Sequence, residues 1–506
     1  MGARSKRLLY LVHRWLGVIL CAFFAMWFVS GAVMMYVGYP KLTDAERLRH
    51  LPVLAPDAPL LAPSHALSRA GVAGPLKELR LAASSGGRPA YVVTPQGKGS
   101  APVAIDAVSG ARLPATDEAR ALATAAAFAA PATSLRYLGV VAEDAFTHSR
   151  ALDAHRPLHR VELGDADQTL LYISGRTGEV VRDAARSERL WNYAGAWIHW
   201  LYPFRGNAFD RYWTDIVNWL SIAGIAMALS GTVVGIMRWR FARPYRSGAR
   251  TPYQGFMRWH HIGGMLFAFT TITWIFSGLM SMNPWRVFDA GAAPLRMEAL
   301  EGGAPSLAGA DAAPAALLAA AGGGVRELRW TRMQGRVVAQ AYTSGAQALL
   351  LDGQSAQAVQ LDPAALRAAA AHLLPARLQR IEVQTAYDLY YYSRDAHTMT
   401  GGGAKPLPVL RAEFADAQAS WVYIDPHTGA VVGRSDNGKR ASRWLFAMLH
   451  SWDWLPLLER RPLWDMLLIF LSLGGAVMSI TGVVIGWRRL GIKLRSAGVP
   501  RTIRLP

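Results

Sequence analysis

The chain has 506 residues, 52% of them apolar, and a positive mean hydropathy, which argues against an ordinary soluble enzyme and for a membrane protein with sizeable soluble parts. Its net charge of +19 would suit a nucleic-acid binder, but most of that charge lies beside the apolar stretches, so a nucleic-acid partner is not expected.

Residues 1–37 combine a basic N-terminus, with Arg4, Lys6 and Arg7, and an uncharged stretch from Trp15 to Val37. Roughly 20 apolar residues suffice to cross a hydrocarbon core as a helix. This stretch exceeds a usual signal-peptide core and meets no clear small-x-small cleavage site, so it is expected to remain as an anchor. Cys21, the only cysteine, lies within it, and the external parts are therefore expected to hold together without disulfides.

Residues 38–187 read as a first α+β domain. Its apolar runs alternate and close on turn residues, and "VAIDAVSGARL" from 103 and "LYISGRTGEVV" from 171 predict hairpins in which glycine accepts positive φ. An Ala-rich segment, 115–130, predicts a helix, and 51–64 reads as a linker. Residues 188–240 hold a short interfacial helix around His199, flanked by Trp197 and Trp200 and ended near Pro203, and then a second uncharged stretch, Ile216 to Met237.

A loop, 241–258, leads to a third span within 259–284, uncharged from Ile262 to Met282. Residues 285–438 read as a second α+β domain: a linker-like stretch over 290–324, a helix-prone segment over 362–373, and hairpin patterns in "LLLDGQSAQAV" from 349 and "VYIDPHTGAVV" from 422. Residues 439–490 repeat the interfacial helix, now around His450 near Pro456, and the fourth span, Met466 to Trp487. Residues 491–506 form a basic tail.

Fifteen basic residues and no acid occupy the N-terminus, the loop from Arg238 to Arg258 and the tail from Arg488 to Arg504. After four crossings all three lie on one side, which the positive-inside rule makes cytoplasmic. The expectation is a multi-pass protein of a bacterial inner membrane, both termini cytoplasmic, with two large periplasmic domains.

The halves repeat. His13, Gly17, Trp27, Ser30 and Gly31 recur 247 positions later as His260, Gly264, Trp274, Ser277 and Gly278. His199, Trp213, Ser221, Gly224, Gly231 and Gly235 recur 251 positions later as His450, Trp464, Ser472, Gly475, Gly482 and Gly486. Asp144, Ser149 and Arg150 answer Asp388, Ser393 and Arg394, as Arg160 and Glu162 answer Arg411 and Glu413. A tandem duplication follows: four transmembrane helices with two α+β domains.

With its "YIDPHTG" turn and repeated membrane units, the chain resembles the PepSY-associated transmembrane proteins over nearly its whole length. That family includes inner-membrane ferric-siderophore reductases with two b-type haems bound by histidines and periplasmic PepSY-like domains. The resemblance implies a ferric siderophore as electron acceptor, an analogy because fold does not fix function.

Ionisable residues within or beside spans are costly and point to function. By topology His13 and His260 share a depth near the cytoplasmic side, and His199 and His450 one near the periplasmic side. Gly17 and Gly264 follow their histidines by four residues on the same helix face, and Gly31 and Gly278 by five turns, leaving a smooth strip beside a flat macrocycle. Imidazole is a common axial ligand of haem iron, and bundle cores hold cofactors between facing helices. Two bis-histidine haem b groups are the economical reading, with His199 and His450 nearest the acceptor as the catalytic pair. His261 is the alternative to His260, although it answers Arg14 in the other half.

Arg14, Arg258 and Arg211 are candidates for the haem propionates. Trp191, Tyr193, Trp213 and Trp464 read as membrane-belt residues, and His148, His155 and His159 as surface residues without standard metal-ligand spacing. Tyr387, Tyr390, Tyr391 and Tyr392 read as core ahead of a stacking surface for substrate. The chain lacks a dinucleotide fingerprint, Walker loop or nucleophile elbow, so electrons would arrive from quinol or a cytoplasmic reductase. Two rivals remain: a non-redox membrane anchor whose PepSY-like domains bind or inhibit a periplasmic peptidase or other protein, and electron delivery to a periplasmic protein.

Overall fold

The computed structural model describes residues 2–97, 99–289, 291–303, 310–345, 347–394 and 405–497. Arg501 and Arg504 of the basic tail and residues 304–309 of the second linker-like stretch lie outside them.

Four helices are long and apolar enough to cross a membrane: Ala3–Met34, Trp213–Arg238, Gly255–Ser281 and Leu463–Ala497. Each covers one of the uncharged stretches, short only of residues 35–37 in the first and Met282 in the third. None contains proline, so every helix satisfies its own backbone groups, the condition for lying in lipid. They run past the uncharged stretches because arginine and lysine stems carry the helix into the polar interface.

The first helix packs on the second and fourth, and the third on the same two, which leaves the first and third diagonal across the bundle. Leu20, Phe24, Phe28, Met227, Ile275 and Ala476 fill the middle. Glycine permits the close approach: a Cβ at Gly224 would lie 3.0 Å from the Phe24 ring.

All strands lie at one end of this bundle. They are β1 (Leu76–Ser85), β2 (Arg88–Pro95), β3 (Val103–Asp106), β4 (Leu135–Val141), β5 (Leu158–Leu163), β6 (Leu170–Ser174), β7 (Val180–Ala184), β8 (Glu327–Met333), β9 (Arg336–Tyr342), β10 (Leu349–Asp352), β11 (Leu378–Gln384), β12 (Val409–Phe414), β13 (Trp421–Ile424) and β14 (Val431–Ser435). Two four-stranded sheets, β4-β5-β6-β7 and β11-β12-β13-β14, are antiparallel meanders. Helices start beside them at aspartate caps: the Asp117 side chain accepts from Arg120 N before Glu118–Phe128, and that of Asp362 from Ala364 N before Pro363–Ala370.

All four hairpin segments turn back on themselves. In two of them the returning arm is a single bridge, Ile105 to Arg112 and Leu351 to Ala358.

The third sheet joins the halves. Its order is β10-β9-β8-β1-β2-β3, and β1 pairs antiparallel with β8, Leu79 opposite Trp330 and Arg80 opposite Arg329. The stretches that read as linkers pack onto it or beside it: Leu54, Leu60, Leu317 and Leu318 belong to its core, and Leu300 to the neighbouring one. Leu54 N donates to Val325 O at 2.8 Å. Their Ala, Gly and Pro content conceals a few leucines that suffice to bury them.

Like charges directly opposite in a sheet repel, so Arg80 facing Arg329 needs compensation. Glu327, fully buried, supplies it. Its carboxylate accepts two bonds from Arg47, at 2.6 and 3.0 Å, and one from Arg329 Nε at 2.5 Å. Arg80 makes two bonds to Glu179, at 2.5 and 2.7 Å. The cluster thereby ties the helix Asp44–His50 and the β6–β7 turn to the shared sheet.

Burial alone would raise the Glu327 pKa, but Arg47, Arg329 and Arg80 outweigh it and hold the carboxyl down at about 2. A depressed acid stabilises the fold fully above its ordinary value of 4.5, and that contribution disappears as pH falls through about 2. We predict that Glu327→Gln leaves buried guanidinium charge uncompensated and costs about 3 kcal/mol. Thermal unfolding followed by tryptophan fluorescence at neutral pH should show a clearly lower midpoint; an unchanged midpoint would mean the cluster is dispensable.

Candidate functional site

The diagonal placement of the first and third helices brings His13 and His260 face to face, with ring centroids 6.3 Å apart and planes inclined by 33°. Each ring rests where a neighbouring helix has a glycine. A Cβ at Gly231 would sit 2.5 Å from His13 Cε1, and one at Gly482 3.2 Å from His260 Cε1. The bare position exposes the carbonyl one turn earlier: His13 Nδ1 lies 3.2 Å from Met227 O, and His260 Nδ1 3.0 Å from Met478 O. The second set repeats the first, the histidine 247 and the glycine and carbonyl 251 residues later.

His199 and His450 reach the opposite end of the bundle from short helical segments outside the spans. Each follows a π-helical turn, Tyr193–Trp197 and Arg443–Met448, a form of extra-residue turn that is frequent at functional sites. Each segment then ends at a left-handed residue, Leu201 (φ 55°) and Trp452 (φ 49°). The rings lie 6.2 Å apart at 76°. His199 Nδ1 is 2.9 Å from Ser30 Oγ, and His450 Nδ1 3.0 Å from Ser277 Oγ.

These contacts determine the tautomers. A carbonyl only accepts, so His13 and His260 carry their protons on Nδ1. The Ser30 hydroxyl donates to Met26 O at 2.7 Å and that of Ser277 to Trp274 O at 3.0 Å, so each serine accepts from the imidazole. In all four rings the lone pair therefore sits on Nε2, the arrangement in which histidine ligates metal while its other nitrogen is held by an acceptor. Burial, with His450 opposite, pushes His199 down to about 3, which keeps the ring neutral.

Two imidazoles on opposite sides of one metal, each at about 2 Å from it, place their ring centroids roughly 6 Å apart. Both pairs have this spacing. Beside His199 and His450 lies a cavity of about 440 Å³ walled by Trp27, Trp213, Trp274 and Phe446, a volume within the range of cofactor sites. The residues present thus fit two bis-histidine haems.

The glycines divide differently from the expectation. A Cβ at Gly264 would meet nothing within 4 Å, and one at Gly17 only the sulfurs of Cys21 and Met227 at 3.9 Å, so both leave space beside the inner histidines. Gly31 and Gly278, read along the sequence as continuing that strip, instead face the outer histidines: Cβ atoms there would lie 3.5 Å from His199 Cε1 and 3.8 Å from His450 Cε1.

His261 points away from the pair. Its Nδ1 meets Thr251 Oγ1 at 2.7 Å and its Nε2 meets Gly235 O at 2.9 Å, between Trp239 and Tyr253. Geometry therefore favours His260 as the residue facing His13.

Several other expectations change. Trp464 is fully buried and Trp213 half-buried; their Nε1 atoms donate to Ser451 O and Trp200 O at 3.0 and 2.8 Å, so they brace the histidine segments rather than line a membrane belt, while Trp191 and Tyr193 are exposed. His148 and His159 are buried instead of superficial, His148 against Glu143 and His159 against Tyr137. Among the described residues no cluster of three or more metal-ligating side chains occurs. Tyr391 is core, as expected, stacked on Tyr423 at 4.7 Å. Arg14, Arg211 and Arg258 are exposed. Sequence reasoning assigned no role to Ser30 and Ser277, although the repeated Ser-Gly pair was the signal that marked them.

The fit of ring against bare backbone makes a prediction that needs no cofactor. Gly231→Ala must displace the His13 ring and should cost about 1–3 kcal/mol, whereas Gly263→Ala, whose Cβ would lie 3.5 Å from Met478 Cβ, should be neutral. Detergent-solubilised melting curves of the two variants compare them directly; equal midpoints would show that the ring does not depend on that glycine.

The family model for the PepSY-associated TM region matches residues 10–350. No curated protein matches the chain. With two thirds of its length covered by that model, the chain belongs to the PepSY-associated TM family.

Proposed function

We propose that the chain is a transmembrane electron-transfer protein of the bacterial inner membrane. It holds one b-type haem between His13 and His260 and a second between His199 and His450, and reduces a periplasmic acceptor. The observation that carries this reading is the presence of two imidazole pairs at ligand spacing, each Nδ1 held by an oxygen acceptor, at two depths of one bundle. When bound, the haems supply one-electron chemistry at those depths.

The rest of the site is the work of the chain. Met227 O, Met478 O, Ser30 and Ser277 hold the four rings in the ligating tautomer and raise their basicity. Phe24, Phe28 and Ile275 fill the space between the pairs and exclude water from it. His199 and His450 stand at the cavity on the strand-bearing end, where an acceptor has access.

The basic residues at the other end, among them Arg4, Lys6, Arg7, Arg238, Arg240, Arg243, Arg246, Arg250, Arg258, Arg488 and Arg489, support placing both termini in the cytoplasm and the α+β parts in the periplasm. Electrons then enter on the side of His13 and His260, from quinol or a cytoplasmic reductase. The acceptor implied by family resemblance is a ferric siderophore, since ferrous iron leaves hard oxygen ligands more readily than ferric iron. Contacts recurring at fixed offsets, Gly231 and Gly482 on their histidines and Ser30 and Ser277 on theirs, support descent from a tandem duplication.

A reduced-minus-oxidised absorbance spectrum of the purified protein should show b-type bands equivalent to two haems per chain. His450→Ala should remove one haem, leave the other, and stop reduction of an added ferric siderophore by membranes given a donor. His261→Ala should retain both haems. A wild-type protein without haem bands would leave a non-redox binding module as the better account.

A further inference from the structure

Below the inner histidine pair, toward the chain termini, the same small assembly is built on two sides of the bundle. Tyr10 stands one turn before His13 on the first helix, and Arg238, in the last turn of the second helix, lies on it. Its Nε donates to Tyr10 Oη at 2.7 Å and its guanidinium carbon is 5.3 Å from the ring centre. Phe256 stands one turn before His260 on the third helix, and Arg488 of the fourth helix lies over it at 4.9 Å. The two arginines follow Gly231 and Gly482, the glycines under the inner histidine rings, by seven and six residues, about 10 Å of helix toward the aqueous end.

Haem is an apolar disc with two carboxylates on one edge, and a site at the end of a membrane bundle must provide cations for that edge where lipid gives way to water. A guanidinium does this best, because its fork matches a carboxylate with two parallel bonds. Stacking on an aromatic ring holds each arginine in place before any carboxylate arrives, and Tyr10 occupies only one of the five donors of Arg238. Among the described residues Arg14 and Arg258 have no such platform. Arg14 directly follows His13, so it projects to a different face of the helix.

Building on the di-haem reading, we propose that Arg238 and Arg488 bind the two propionates of the inner haem, one from each side of the bundle. Tyr10 and Phe256 act as the platforms that position them. The outer haem has no part in this assembly.

The test uses the full-length protein in a His450→Ala background, in which only the inner haem is expected, with Arg238→Gln and Arg488→Gln added together. Transfer of haem to an excess of apomyoglobin should become at least about tenfold faster, and the midpoint potential should fall, because lost positive charge favours the ferric form. Arg238→Lys with Arg488→Lys should restore the potential more fully than the retention, since lysine keeps the charge but not the fork. If the glutamine variant keeps the parent's transfer rate and potential, the assignment is overturned while the di-haem reading stands. A wild-type protein without haem overturns both.

Discussion

The account depends on how a histidine ring is held inside the bundle. An imidazole in an apolar environment must satisfy its N–H, and here each Nδ1 finds an oxygen that belongs to a neighbouring element: a helical carbonyl for His13 and His260, a serine hydroxyl for His199 and His450. For the inner pair, that carbonyl is accessible only because the residue one turn on is glycine. The missing side chain therefore positions the ring, sets its tautomer and leaves the lone pair on Nε2. Remove the glycine and the ring must move; remove the acceptor and its N–H is left unsatisfied in a dry interior.

The strand-bearing end constrains the same geometry from outside. The outer histidines lie on segments that connect the four-stranded sheets to the second and fourth helices, so their position is inherited from both sheets and bundle. Pairing of β1 with β8 makes one sheet out of strands from both halves, and the Glu327 cluster locks its centre. Two α+β parts joined in this way cannot drift independently, and neither can His199 relative to His450.

Much of this was legible in the sequence, for identifiable reasons. The spans announce themselves because lipid demands long uncharged runs, and the histidine pairs because the repeat places equivalent residues at equivalent depths. Helices and hairpins beside the β4–β7 and β11–β14 sheets follow from local caps and turns such as Asp117 and Asp362. What could not be read depends on contacts distant in sequence. Nothing near β1 signals that it pairs with β8, since register between remote strands leaves no local trace. Gly31 seemed to serve the histidine of its own helix because spacing along one helix is all that a sequence displays; its neighbour, His199, arrives from a separate segment. The leucines at 54, 60, 317 and 318 were hidden by a composition that usually marks a linker.

X-ray absorption at the iron edge, combined with electron paramagnetic resonance of the oxidised protein, tests the central claim most directly. Imidazoles paired across the bundle predict iron that is entirely six-coordinate and low-spin, with nitrogen ligands at about 2 Å, in two distinct low-spin signals. High-spin or five-coordinate iron as the main species, or protein that retains no iron through purification, would contradict it.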